Sequence, residues 1–384
     1  MNPLFANLPT TIFERMSGLA RELGAVNLGQ GFPDFGWPDD VLDKAADAVR
    51  HGWNQYPPMA GLAELRGAVA AHYGQWQLLD LSPDEVTVTS GATEALAAAI
   101  LGLITPGDEV VLFEPLYDAY LPLVRQAGGI PRFVKLSPPD WKITAKALDA
   151  AFSPATRLVI FNNPLNPTAT VFDLDQLVVL ADACVRHDVV AICDEVWEHV
   201  TFDGNRLVPL MKLPGMRERT VKIGSAGKIF SLTGWKVGWT CAAPPLTAAI
   251  ARAHQFITFT TAPSLQRAVA YGLGKDDGYF TDMRAGLDRA RHRLTAGLTS
   301  AGYAVLPCQG TYFLNIDLNA SGVPMDDATF CEWAVREGGV ATIPVSAFYS
   351  GNPATNVVRL CFAKADDTID AGIERMARAR KLRL

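Results

Sequence analysis

The sequence predicts an α/β protein, with a mostly parallel sheet covered by helices and a smaller α+β unit beside it. Two observations carry this. From about Leu62 to Trp239, helical patterns alternate with short β-rich runs, the order that parallel strands joined by crossover helices require. The polar residues best suited to chemistry, Gly91, Asn163 to Asn166 and Asp194, each follow such a run directly. Open α/β sheets gather ligands at the carboxyl ends of their strands.

The first run, Glu85-Val86-Thr87-Val88-Thr89, leads through Ser90 into a tight turn, Gly91-Ala92-Thr93, and a strong helix start at Glu94-Ala95-Leu96. The first amides of a helix lack internal partners, so this junction is a candidate anion cup. It is neither a Walker A loop nor Gly-x-Gly-x-x-Gly, so a nucleotide is not the obvious anion. Further strands are expected at Glu109–Phe113, Leu158–Phe161 and Val189–Cys193. A long helical pattern from about Asp276 to Ala301, with Arg284, Leu287, Arg291, Leu294 and Leu298 on it, could link this core to the smaller unit.

Composition sets the bounds. A chain of 384 residues, 49% apolar and 19% charged, can bury a large core and is long enough for two domains. The net charge of −6 argues against nucleic acid as the main partner. The one cationic concentration, Arg375, Arg378, Arg380, Lys381 and Arg383, reads as the carboxyl end of a last amphipathic helix. Six cysteines show neither a CxxC pair nor metal-ligand spacing, which suggests reduced core thiols, no metal and a cytoplasmic location. Met1 to Ala6 lacks a secretory pattern, and the apolar run Ala95–Ile104 is too short for a membrane span.

The most informative segment is Gly224-Ser225-Ala226-Gly227-Lys228-Ile229-Phe230-Ser231-Leu232-Thr233-Gly234-Trp235-Lys236. A hydroxyl stands three residues before Lys228 and a second cation eight after it. With Ser90-Gly91-Ala92-Thr93-Glu94, Asn163-Pro164-Leu165-Asn166-Pro167-Thr168, Asp194-Glu195-Val196-Trp197 and Val358-Arg359-Leu360-Cys361-Phe362, it resembles the class I/II aminotransferases. These are the fold-type I enzymes that use pyridoxal phosphate. The resemblance runs from about Asn27 to Phe362. Asn27-Leu28-Gly29-Gln30-Gly31-Phe32-Pro33-Asp34-Phe35 and Ile343-Pro344-Val345-Ser346-Ala347-Phe348-Tyr349 look like the kynurenine, glutamine and methionine branch.

The resemblance implies a cofactor domain over 45–284 and a second unit built from 1–44 and 285–384. It implies that Lys228 condenses with the cofactor aldehyde and later carries a proton. Gly91, Ala92 and Thr93, with Ser225 and Lys236, hold the phosphate. Asp194 meets the pyridine nitrogen, Tyr117 stacks on the ring, and Asn166 reaches its phenolic oxygen. Arg359 forks an α-carboxylate, which the backbone at Gly31 also contacts. Tyr56 resembles a tyrosine that reaches a neighbouring subunit's phosphate, implying a homodimer with shared sites.

Four positions depart from the common pattern: Leu165 for histidine, Ala169 for glycine, Lys236 for arginine and Trp197 for tyrosine. Lysine keeps the charge at 236 but loses the bidentate fork. An indole N–H donates but neither accepts nor ionises. The implied activity is ping-pong transfer of an amino group from an amino acid with a bulky neutral side chain to a 2-oxo acid. Phe32, Phe259, Phe348 and Tyr349 are candidates to line that side chain. Two alternatives stay open: a β-lyase on the same site, and a ligand-sensing regulatory domain. The second needs an attached DNA-binding module, for which Met1 to Asn27 is too short.

Overall fold

A computed structural model describes residues 1–6 and 8–382; Arg383, the last of the expected cationic cluster, lies outside them. Thirteen strands are described: β1 (Val26–Asn27), β2 (Val86–Ser90), β3 (Glu109–Glu114), β4 (Ile130–Lys135), β5 (Thr156–Asn162), β6 (Val190–Asp194) and β7 (Thr220–Ser225), then β8 (Val237–Cys241), β9 (Ala304–Val305), β10 (Phe313–Asp317), β11 (Val340–Ala341), β12 (Ile343–Pro344) and β13 (Val357–Cys361). Seven of them form one sheet in the order β2-β8-β7-β6-β5-β3-β4. Only β8 runs against its neighbours. The sheet is therefore mostly parallel, as expected.

Burial on both faces explains why these strands read as continuous apolar runs. Every residue of β3 is buried, and β5 is buried except at Arg157. The helix Gly91–Leu103 packs on the sheet with a small-residue surface, burying Ala95, Ala98 and Ala99 beside Leu96 and Ile100. Alanine favours the helix and lets it come close.

The smaller sheet is antiparallel, in the order β12-β13-β10-β9, and β1 pairs in parallel with β11 at Val26↔Val340. The helix Asp277–Ser300 is capped by Asp276, whose side chain accepts from the Tyr279 amide. It buries Phe280, Leu287, Ala290, Arg291, Leu294 and Leu298, a helical stripe. The last helix, Asp366–Lys381, carries Asp366 and Asp367 in its first turn and Arg378, Arg380 and Lys381 in its last, matching its dipole. All six cysteines are buried and unpaired. Among the described residues no helix is long and apolar enough to cross a membrane, and no cluster suits a metal ion.

Candidate active site

The strand ends converge on a cavity of about 360 Å³, a size that suits a small organic ligand. Its walls include Gly31, Gly91, Ala92, Thr93, Tyr117, Asn166, Asp194, Trp197, Ser225, Lys228, Lys236 and Arg359. Thus all but one of the thirteen sequence-derived site residues meet there. The exception is Tyr56, which lines a separate surface pocket and is 79% exposed, its ring edge-on to Phe259.

The anion cup is tighter than the expected turn. Strand β2 ends at Ser90 and the helix begins at once with Gly91, whose φ is 72°. Glu94 folds back to accept the Ser90 amide at 2.7 Å, which satisfies that donor. The Ser90 side chain makes no capping bond, and Gly91, Ala92 and Thr93 at the start of the helix line the cavity. Lys236, itself left-handed at φ 55°, brings its Cε to 3.3 Å from where a Cβ on Gly91 would sit. A side chain at 91 would press on that cation as well as strain the backbone.

Asp194, the last residue of β6, is buried. Its Oδ2 accepts the Tyr120 hydroxyl at 2.7 Å. Its Oδ1 is buried without a hydrogen-bond partner among the described residues. Burial raises the Asp194 pKa; the Tyr120 hydroxyl, the Val196 amide and the Lys228 and Lys222 charges only partly offset it. A cationic N–H donor at Oδ1 would satisfy that atom and restore the charged form. Asn162, at the end of β5, braces the site: its Nδ2 donates to the Asp194 carbonyl at 2.7 Å, and its Oδ1 accepts the Asn166 amide at 2.7 Å.

Lys228 sits on the short helix Ala226–Ile229 that follows β7. Burial strips water from its ammonium and lowers the pKa to about 8, against the pull of Asp194. An amine so depressed is a usable nucleophile near neutrality. Its Nζ donates to the Tyr312 hydroxyl at 3.1 Å and lies 4.8 Å from the centre of the Trp197 ring.

Arg359 projects from β13 and is 1% exposed, yet no carboxylate pairs with it among the described residues. Nη1 donates to Asn166 Oδ1 at 2.8 Å and Nη2 to the Gly29 carbonyl at 3.0 Å; Nε has no partner among the described residues. Burial pulls its pKa down to about 10. The Phe313 ring centre lies 3.9 Å from the guanidinium carbon, with the ring centres of Phe13 and Phe348 each at 5.2 Å. A buried, unpaired fork is suited to a ligand carboxylate. Gly31 completes this corner, since a Cβ there would come within 2.7 Å of Phe313 Cζ.

The expected aromatic lining needs correction. Phe32 lines the cavity, whereas Phe259, Phe348 and Tyr349 do not. Phe259 packs on Tyr56, Phe348 stands behind Arg359 against Phe13, and the Tyr349 hydroxyl donates to the Leu136 carbonyl. Phe13 and Phe313 take their place. Motif reading does not single out Tyr120, Asn162, Phe13, Phe313 or Tyr312, nor the buried brace beneath the site. There Lys222 Nζ lies 2.6 Å from Glu195 and 2.9 Å from Glu198, and Tyr73 donates to Glu198 at 3.0 Å. The acidic residues flanking Val196 and Trp197 are the only sequence signal for it. Ala169 adopts φ 64°, which accounts for the glycine common at that position.

The anion cup with its lysine, the unpartnered buried Asp194 oxygen, the depressed amine and the Tyr117 ring together fit pyridoxal phosphate. Comparisons point the same way. The family model for aminotransferase class I and II matches residues 24–376. The chain is 40% identical to a methionine aminotransferase of Escherichia coli over 383 residues, covering 98% of each. It is 36% identical to a kynurenine–oxoglutarate transaminase of Dictyostelium discoideum, covering 97% of this chain and 94% of that one. A solved N-succinyldiaminopimelate aminotransferase from Mycobacterium tuberculosis superposes with a TM-score of 0.95 at 43% identity, covering 99% and 100% of the two chains.

Proposed function

Since this chain belongs to the class I and II aminotransferases, which depend on pyridoxal phosphate, we propose that it takes amino acids with bulky, uncharged side chains. The activity itself is amino-group transfer between an amino acid and a 2-oxo acid. The observation that carries the substrate reading is the accounting of cations in the cavity. Three line it, and none is left over: Lys228 serves the chemistry, Lys236 the phosphate and Arg359 the α-carboxylate. A further cation, Lys364, is engaged with the Phe32 carbonyl at 2.8 Å. Beyond the assigned residues the lining includes Phe13, Phe32, Phe313, Leu96 and Val196, with Gln30 as an uncharged amide. Methionine, aromatic amino acids, kynurenine and glutamine fit such a wall. The mycobacterial relative's substrate name implies a further carboxylate, for which the described residues of one subunit offer no free cation in the cavity.

When bound, pyridoxal phosphate supplies the aldehyde that receives the amino group and the ring that draws electrons from the substrate's α-carbon. The protein does the rest. The Gly91, Ala92 and Thr93 amides, Ser225 and Lys236 hold the phosphate. Asp194 Oδ1, held in place through Tyr120 and Asn162, would keep the ring nitrogen protonated. Tyr117 would pack on the ring, and Asn166 Nδ2 would donate to its phenolic oxygen. Arg359 fixes the α-carboxylate, and so decides which substituent faces Lys228. Lys228, as a neutral amine, would be the group that accepts the proton from the substrate's α-carbon and gives it back.

A half-reaction screen tests the substrate reading. Rapid cofactor conversion is expected with methionine, phenylalanine and kynurenine, and slow conversion with glutamate or N-succinyldiaminopimelate. Preference for the latter pair would overturn it. Replacing Asp194 by Asn keeps the shape and removes the charge that shifts the ring nitrogen. A neighbouring charge moves a pKa by roughly 1–3 units, so turnover should fall about tenfold or more at saturating cofactor. Thermal stability without cofactor is expected to hold or rise, because a buried charge is gone. Turnover within a factor of about three would contradict the assignment, being under one such unit.

The proposal extends to a cytoplasmic location, for which the support is six buried cysteines without disulfides, and to a homodimer with shared sites. The support for the dimer is an exposed aromatic surface: Trp53 at 71%, Tyr56 at 79% and Phe256 at 86%. Such patches mark interfaces. Sedimentation should find a dimer, and Tyr56→Phe should weaken cofactor binding through the neighbouring site. Loss of one hydrogen bond to a charged acceptor is worth about 1.5–3 kcal/mol. Co-refolding Tyr56→Phe with Lys228→Ala should restore one tight cofactor site per mixed dimer. An active monomer, or mixed dimers without that site, would end the shared-site reading.

A further inference from the structure

We infer that Tyr312 is a positioning residue for Lys228: it accepts an N–H from the free amine and thereby leaves the nitrogen lone pair open for the substrate's proton. The inference rests on the reading of Lys228 as the proton carrier, and goes beyond it by naming what orients the amine.

The hydrogen-bond geometry fixes the polarity of the contact. Tyr312 Oη lies 2.6 Å from the Gly31 carbonyl oxygen and 3.1 Å from Lys228 Nζ. A carbonyl only accepts, so the single phenolic proton goes to Gly31. Toward Lys228 the phenol therefore has lone pairs alone. A hydroxyl with a free proton would donate to the neutral amine and occupy the lone pair needed for the α-proton. Here that competition is removed by the backbone of the substrate loop. Burial also holds the Tyr312 pKa well above its ordinary value, so the phenol keeps its proton as the pH rises.

The surroundings leave Tyr312 alone in this role. Tyr312 is the only hydrogen-bond partner of Lys228 Nζ among the described residues. Trp197, where relatives commonly have tyrosine, lies edge-on to the Tyr312 ring with centroids 4.3 Å apart. Its indole N–H cannot accept from an amine, so the tryptophan holds the phenol in place. The loop is also gripped by Arg359, through Gly29. Carboxylate anchor and base thus hang on one segment, Gly29 to Gly31. With the cofactor bound, the α-carbon–hydrogen bond would break, its proton would join Nζ, and the cofactor would supply the sink for the electron pair. The resulting ammonium then returns the proton, still held by Tyr312.

Tyr312→Phe removes one oxygen and keeps the ring packing. In the protein without cofactor, the Lys228 pKa should fall, because the ammonium loses an acceptor. The pH dependence of Lys228 acylation, read by mass spectrometry, measures it. In single turnovers with α-deuterated methionine, proton transfer should slow about tenfold, equivalent to about 1.4 kcal/mol. The isotope effect should grow and the apparent substrate affinity should stay. In a Lys228→Ala background rescued by methylamine, the same substitution should leave the rescued rate nearly unchanged, since no tethered amine remains to orient. Unchanged acylation and transfer rates in Tyr312→Phe would overturn the inference. So would an equal slowing in the methylamine-rescued background, which would place the effect in the loop. Failure of the underlying reading shows separately, as normal turnover by Lys228→Ala alone.

Discussion

Lys228→Ala is expected to lose multiple turnover while still binding pyridoxal phosphate weakly. One amine serves as both the covalent tether and the proton carrier. Loss of the acid–base role alone is worth about 10²–10⁴-fold. The variant should also lose the absorbance of the lysine-linked cofactor. In the parent protein, the rate of cofactor capture should follow the neutral fraction of an amine with a pKa of about 8. It should therefore rise about tenfold per pH unit below that value and level off above it. The sign follows from burial, which disfavours the ammonium and so enriches the nucleophile near neutrality. Near-normal turnover by the variant would remove Lys228 from both roles.

Arg359→Ala is expected to weaken amino acids and 2-oxo acids together, because both present the same carboxylate. Removing one partner of a buried charge pair costs about 2–5 kcal/mol, or roughly 30- to several-thousand-fold. The fold should tolerate the loss, because Arg359 is a buried cation without a carboxylate partner among the described residues. Its hydrogen bonds to Asn166 and Gly29 are the local loss. Amines that lack a carboxylate should react at nearly the parental rate. An equal loss for those amines would show that the guanidinium acts on the fold or on Asn166 instead.

What was legible in the sequence follows a physical divide. Lys228, Asp194, Asn166 and the Gly91 cup sit at strand ends, where a β-rich run stops and a turn or helix begins, so local pattern locates them. The mostly parallel sheet was legible because burial on both faces leaves unbroken apolar runs such as β3. The residues that tune the site were not legible. Tyr120 reaches Asp194 from 74 positions away, Lys228 reaches Tyr312 across 84, and Arg359 reaches Gly29 across 330. No local periodicity encodes such pairings. The misplaced aromatics, Phe259, Phe348 and Tyr349, failed for the same reason: an aromatic near a motif can as well face the core or the surface. Tyr120 alone had a local clue, three residues after Tyr117 in the same segment.

Above all, Lys228 and its surroundings are held to move an amino group and a proton without expelling a side chain. One anaerobic half-reaction with S-methylcysteine, which carries its sulfur on the β-carbon where elimination could expel it, followed by cofactor absorbance and mass spectrometry of the products, tests this most directly. Stoichiometric aminated cofactor is expected with the matching 2-oxo acid, and no free ammonia or thiol. Ammonia, with the cofactor returned to its aldehyde form, would contradict it.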